Sequence, residues 1–285
     1  MHLADTKWVP HSLNAPPTIL DRYTGQVDWG GRKKVLIYGA GHGRALARPL
    51  MDDASWVVWA LNVVPPFLVR PGGVRHLRCD AWFELHEMKA QSLNDLRWMT
   101  QCPVPLYVVP QAMDDRGFVH TPMQTVDGQN PGGHLKLAYD GERQDWILPV
   151  VSPIRFPLAE MEQRFGGYWA CTFAYQMALA VASGFTDIGL FGVDLAHGTL
   201  RERTVEWANV SWWAGYLEAK GVTLHMPDGA SIGCHPARYG IEYDEEIAAV
   251  TEYTDRWRQF ERFQDERETV GAGGPAIIKI GEPAS

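Results

Sequence analysis

The sequence predicts an α/β fold: a doubly wound, mostly parallel sheet of Rossmann-like type in a single domain with a loop-rich insertion. Three observations predict it. The short runs 33–38, 56–61, 105–109, 187–194 and 222–226 are largely apolar rather than alternating, as strands buried on both faces are. Segments of helical length separate several of them, so strand and helix alternate along the chain. The first run is also followed at once by Gly39-Ala40-Gly41-His42-Gly43, where a βα turn needs conformational freedom and close backbone approach.

The elements follow in order. Residues 1–32 carry Pro, Asn, Gly and Trp without periodicity and read as an irregular arm that packs on the domain or orders late. The domain then spans 33–242, opening with the strand 33–38, a helix over about 44–52 and a second strand, 56–61. A short strand is expected over 74–79, leading into a helical turn that starts at Asp80, with Glu84 in capping range. Helical spacing occurs over 94–100, and 105–109 is a strand. Residues 111–148 are rich in Gly, Pro and polar side chains and read as a lid or acceptor-binding insertion. Gly166-Gly167 leads into an Ala-rich helix over 168–182, closed near Gly184, and then comes the strand 187–194. A helix over 203–220 ends at Gly221 before the strand 222–226. Residues 243–285 are expected to form a charged helix over 243–268 and a disordered tail.

Composition bounds the function. Of the 285 residues 46% are hydrophobic and 21% charged, enough apolar side chain for a sizeable core. Four cysteines with no CxxC spacing indicate reduced, buried thiols rather than a zinc site. Without a signal-peptide apolar region or a run of membrane length, the expectation is a soluble, cytoplasmic protein. A net charge of −8 argues against broad, charge-driven binding of nucleic acid. His120, His134, His225 and His235 are scattered, so no metal is expected.

Candidate chemistry gathers at predicted strand ends. The glycines of 39–43, with Arg44 after them, suit backbone contact with phosphate, or simply a tight packing turn. Arg44 stands where a dinucleotide fingerprint has its third glycine, and Asn62 stands where a ribose-binding acid would be, so NAD is disfavoured. Asn62 can read a ligand through its amide or close a turn. Asp80, His86, Asp194 and His197 compete for the role of general base, with capping or solvent exposure as the plainer alternative for each. Gly167 and Tyr168, before a predicted helix N-terminus, form a second candidate anion site.

Two stretches carry a resemblance: 35–43 with the strand ending in Asn62, and Gly167-Tyr168 through to Asp194. Their order and separation resemble the Rossmann-like proteins grouped with the archaeal 6-hydroxymethylpterin diphosphokinases (MptE-like), and are similar to the sialyltransferases of glycosyltransferase family 42. Residues 192–227 also resemble uncharacterised tailed-phage proteins of that superfamily. The resemblance implies a nucleotide-activated sugar as co-substrate, held by Gly39, Gly41 and Asn62 with Gly167 at the later turn, and no tightly bound cofactor. The chain differs from the sialyltransferases in having Gly166-Gly167-Tyr168 where they carry a hydroxyl residue before glycine. The expectation is therefore a glycosyltransferase acting on a hydroxyl acceptor, with the phage resemblance pointing to a hydroxymethylated DNA base. A Mg²⁺-dependent diphosphokinase using Asp80 and Asp194, and a non-catalytic nucleotide-binding or virion-associated module, are the alternatives.

Overall fold

Within the segment expected as an arm, residues 18–28 of the computed structural model form a hairpin. It describes residues 17–41, 43–62, 67–70, 73–76, 78–91, 93–122, 137–193, 195, 199–228, 230 and 232. Strands β1 (Thr18–Asp21) and β2 (Gln26–Asp28) pair antiparallel. The hairpin is fastened to the domain, because the Tyr107 hydroxyl donates to the Gly25 carbonyl at 3.0 Å and the Arg155 amide to the Arg22 carbonyl at 2.7 Å. Trp29, just after it, is buried against Trp59.

The chain continues through β3 (Lys34–Tyr38), a 3-10 turn (Arg44–Ala47) running into α1 (Arg48–Asp52), β4 (Trp56–Leu61), and a hairpin of β5 (Phe67–Arg70) and β6 (Gly73–His76). Next come β7 (Ala81–Glu84), α2 (Leu93–Gln101) and β8 (Leu106–Val108). Strands β9 (Val119–Pro122), β10 (Ala138–Asp140) and β11 (Asp145–Leu148) form a small antiparallel sheet inside the expected insertion. The described chain closes with β12 (Pro153–Arg155), α3 (Leu158–Phe165), α4 (Thr172–Ala182), β13 (Asp187–Phe191), a π-helical turn (Glu202–Glu206) leading into α5 (Trp207–Ala219), and β14 (Thr223–His225). Two units divide the chain, Met1–Cys234 and His235–Ser285. The helix and tail expected over 243–285 lie outside the described residues.

Seven strands form the central sheet in the order β12-β8-β7-β4-β3-β13-β14, with every pairing parallel. The fold is thus Rossmann-like α/β, as the uninterrupted apolar runs predict. β3, β4 and β7 are buried at nearly every position. From β3 the chain steps outward to β12, then returns to place β13 and β14 on the other side. The winding direction reverses between β3 and β13. Such a reversal opens a crevice at the carboxyl ends of the strands, where open α/β sheets bind ligands. Many of the tryptophans belong to the core rather than to ligand surfaces: Trp29, Trp56, Trp59, Trp82 and Trp213 are all buried. Among the described residues no helix is long and apolar enough to cross a membrane.

One strand corrects the expected order and removes a candidate base. Residues 81–84, expected in a helical turn, form β7 between β4 and β8, because Ala81, Trp82 and Phe83 are fully buried there. Asp80 therefore precedes a strand instead of following one. It lies at the amino end of β7, 2% exposed, where its carboxylate accepts the Val58 amide at 2.8 Å. The guanidinium groups of Arg78 and Arg32 stand 3.3 and 3.7 Å away. Arg78 also donates to the carbonyls of Met51, Asp53 and Trp56, so this cluster ties β7 to β4 and to the end of α1. Removing one member of a buried ion cluster leaves the others uncompensated and typically costs about 3–5 kcal/mol. Asp80→Ala is expected to lose that much in urea unfolding. Ligand binding at the carboxyl edge should survive in the folded fraction, and a stable variant that cannot bind would return Asp80 to the site.

Candidate active site

The turns after β3 and β13 touch backbone to backbone. The Gly39 amide donates to the Phe191 carbonyl and the Gly41 amide to the Gly192 carbonyl, both at 2.8 Å, prolonging the β3–β13 ladder past its strands. A Cβ on Gly39 would lie 2.3 Å from the Gly192 carbonyl oxygen, and one on Gly192 would lie 2.4 Å from that of Gly39. Here the expected phosphate cradle needs correction. Gly39 is a glycine because two strand ends cross, and the amides of Gly39 and Gly41 are committed within the protein. What the turn presents to the crevice is the surface of Ala40, Gly41, Gly43 and Arg44. Gly43, at φ +73°, enters the 3-10 turn in the left-handed region. His42 lies outside the described residues.

Across the crevice stands the N-terminus of α4. The helix begins at Thr172, not at Tyr168 as its composition predicts, and the reason is a contact distant in sequence. Asn209 of α5, fully buried, donates its side-chain amide to the Tyr168 carbonyl at 3.1 Å and accepts the Ala170 amide at 3.0 Å. Trp213 adds a second bond to the Tyr168 carbonyl at 3.1 Å. Residues 168–171 are thereby held outside the helix. Gly166, at φ +84°, ends α3, and Tyr168 packs edge-on against Trp212. Gly167 and Tyr168 thus fall outside the cleft, and Trp169, Cys171, Thr172 and Phe173 line it instead. Trp169 stacks on Tyr175 at 5.2 Å and 18°, forming an aromatic wall. The first turn of α4 brings the positive end of the helix dipole to the same place.

Asn62 closes the turn after β4, the plainer of its two expected roles, and lines the cleft. It follows β4 at φ 44°, the left-handed conformation an asparagine tolerates, and its carbonyl accepts the Trp82 indole N–H at 3.2 Å. Its side-chain oxygen lies 3.4 Å from the Thr172 hydroxyl in the cleft wall. Thr172 supplies a hydroxyl at a helix start that sequence reading located elsewhere.

His86 follows β7 at the carboxyl edge, with its side chain 55% exposed and lining the cleft. Its Nδ1 lies 2.7 Å from Oε1 of Glu84, a carboxylate only 2% exposed that also accepts the Gln91 amide at 3.1 Å. The bond to Glu84 raises the His86 pKa above its ordinary value, against the opposing effect of partial burial. With Nδ1 facing the carboxylate, Nε2 is the atom left to exchange a proton. Glu84 escaped notice as a candidate. The spacing Glu84-x-His86 places both side chains on one side of extended chain, a relation visible only when 81–84 is read as a strand.

These groups enclose a cleft of about 1090 Å³. Two guanidinium groups, Arg44 and Arg201, and three carboxylates, Glu87, Glu202 and Glu206, also line it. Arg201 bonds Glu206 at 3.0 Å and reaches the Ala170 carbonyl at 3.3 Å. Thr199 and Glu202 cap each other's amides at the start of the following helix. Burial pushes the Cys171 thiol up to about 12, so it stays protonated and is no nucleophile near neutral pH. Asp194 and His197 lie outside the described residues.

The inserted sheet carries a second polar cluster. His120, 3% exposed, has Nδ1 at 2.8 Å from Asp145 and Nε2 at 3.1 Å from Asp114. Arg116 bonds both Asp114 and Asp140 at 2.8 Å. Although desolvation works the other way, the Phe118 amide, Arg116 and His120 hold the Asp114 carboxyl well below the usual range. Among the described residues, His120, Asp140 and Asp145 are the one group of His, Cys, Asp and Glu with metal-ligand spacing. Both ring nitrogens already face carboxylates and a guanidinium bridges two of the acids, so the cluster is a self-satisfied brace for the insertion.

No protein-family model and no curated protein matches the chain. A similar solved structure is that of the sialyltransferase CstII from Campylobacter jejuni in complex with a substrate analogue, CMP-3FNeuAc. The two share 16% sequence identity at a TM-score of 0.34, over 68% of this chain and 80% of that one.

Proposed function

We propose that the protein is a transferase that passes a sugar from a nucleotide-activated donor to a hydroxyl acceptor in the cleft at the β3–β13 switch. One observation carries the reading: an imidazole made more basic by a buried carboxylate faces the same cleft as the N-terminus of α4 and the Arg44 guanidinium. That pairing puts a proton acceptor opposite a place that stabilises anionic charge.

Each group has a task. The aromatic wall of Trp169 and Tyr175 offers a flat surface for a base or sugar ring. Asn62 and Thr172 supply hydrogen bonds to the donor. The first turn of α4, with Arg44, faces the phosphate, while Arg201 stays paired with Glu206. In the transfer, His86 Nε2 takes the acceptor hydroxyl proton as the acceptor oxygen bonds the anomeric carbon. The bond from that carbon to the phosphate oxygen breaks, and its electron pair leaves with the nucleotide, where helix and guanidinium charge oppose it. Glu84 keeps the ring oriented and balances the imidazolium.

The diphosphokinase alternative loses support in the cleft, since Asp80, one of the two carboxylates expected to serve Mg²⁺, is buried at the opposite, amino end of β7. The test is a thermal-shift panel of UDP-, GDP-, CMP- and ADP-linked sugars with ATP and NAD. A ligand at a hundred times its Kd adds about 2.7 kcal/mol, which raises Tm by about 5–10 °C in a chain of this size. A shift with at least one nucleotide sugar is expected. Shifts with NAD alone, or with no nucleotide at millimolar ligand, would sink the proposal. Binding without hydrolysis or transfer of any donor would favour a non-catalytic module.

A further inference from the structure

A second cavity of about 510 Å³ adjoins the first, and the two share Leu85, Glu87 and Tyr175 as common walls. His86 stands between two of these shared residues in the chain and lines the first cavity. Tyr175 turns one face to Trp169 in the cleft and meets Phe156 of the second cavity edge-on at 5.2 Å. The outer wall comes from the inserted segment, through Gln111, His120, Arg143 and Asp145. A transferase base has to reach the acceptor while the donor is bound, so an acceptor site has to adjoin the cleft that His86 lines, as this cavity does.

The lining indicates the chemistry of the occupant. Its floor is apolar, with Val109, Ala112, Phe156 and Leu158, and its rim is polar. The rim charges are matched. Lys89 pairs with Glu87, and Arg143 lies 3.5 Å from Asp145. Among the described lining residues each Lys or Arg therefore has a carboxylate beside it, which leaves no surplus positive charge for a phosphate backbone. An apolar floor under a charge-balanced rim fits a neutral ring bearing hydroxyl groups, and the volume is that of a small-molecule site. We propose that this second cavity is the acceptor site and that it takes a neutral mono- or disaccharide, a proposal that rests on reading the first cleft as the donor site.

The test is saturation-transfer difference NMR on the full chain with methyl glycosides of glucose, galactose and mannose, and with CMP, UMP, GMP and AMP as donor-side probes. Gln111→Trp and, separately, Lys89→Trp obstruct the second cavity from exposed positions, with circular dichroism checking the fold of each. Glycoside signals are expected in the parent chain. They should fall at least fivefold in both variants, while nucleotide signals stay unchanged and nucleotide does not displace the glycosides. Glycoside signals that persist in both variants, that nucleotide competes away, or that never arise would overturn the assignment. So would binding of a short duplex carrying 5-hydroxymethylcytosine where the glycosides fail. Loss of nucleotide signals with glycoside binding intact and sensitive to both variants overturns the donor reading alone and leaves a saccharide site.

Discussion

His86→Ala is expected to lower the rate of sugar transfer by about 10²–10⁴-fold, the usual contribution of a positioned proton acceptor, and to leave the nucleotide-induced thermal shift in place. The two readouts separate because the side chain is assigned to proton transfer and not to holding the donor. Glu84→Gln sharpens the test through pH. The bond to Glu84 holds the His86 pKa above its ordinary value of 6.5. Transfer needs the deprotonated ring, so the rate should rise with pH through that raised pKa and then level off. With a neutral amide at position 84 the inflection should move to lower pH and the plateau should fall, as the ring becomes a weaker base. The stability linkage runs in the opposite direction. A raised histidine pKa in the folded state stabilises below the unfolded value and loses that contribution as pH rises through the folded one. The ring is more than half exposed, so this effect is small and does not mask the kinetic one. Activity within twofold of the parent chain in His86→Ala would remove His86 from the chemistry.

The sheet was legible wherever burial alone decides the element. Residues 35–38, 56–61 and 188–191 carry no charged side chain and are buried at every position, so periodicity leaves only a doubly covered strand. β7 was not legible, because its short apolar run follows an aspartate and satisfies a helix-capping pattern equally well. Pairing with β4 on one side and β8 on the other decides the matter, and no local propensity contains that information. The same error hid Glu84, so His86 could be named while its partner could not. Tyr168 was misplaced for a related reason. Its helical preference is local, whereas the bonds to Asn209 and Trp213 that hold it outside the helix come from a segment about forty residues away. In the insertion, three short strands lie within a composition that reads as loop, held by the Asp114, Arg116, His120 and Asp140 network.

Gly192→Ala is expected to cost about 2–5 kcal/mol of stability, the largest effect of any single methyl group predicted for this protein. About 1–2 kcal/mol comes from the backbone, since Gly192 sits at φ +69°, in the left-handed region that a Cβ disfavours. A further 1–3 kcal/mol, roughly, comes from overlap, because the new methyl would lie 2.4 Å from the Gly39 carbonyl oxygen and 2.9 Å from the Arg44 Cβ. Neither neighbour is the free end of a flexible chain, so relief requires the two turns to part and the Gly41-to-Gly192 bond to lengthen. Gly39→Ala should follow it through overlap with the Gly192 carbonyl. Two glycines serve as controls. Gly215, inside α5 with open space around it, should gain up to about 1 kcal/mol as alanine. Gly167 also has nothing within 4 Å and should tolerate alanine with both stability and nucleotide binding unchanged. Urea midpoints of the four variants decide between two accounts of the glycine turn. A loss confined to Gly192 and Gly39 identifies a crossing of strand ends that shapes the floor of the cleft. A Gly192→Ala protein of full stability that no longer binds nucleotide would instead make the turn a direct cradle for the ligand.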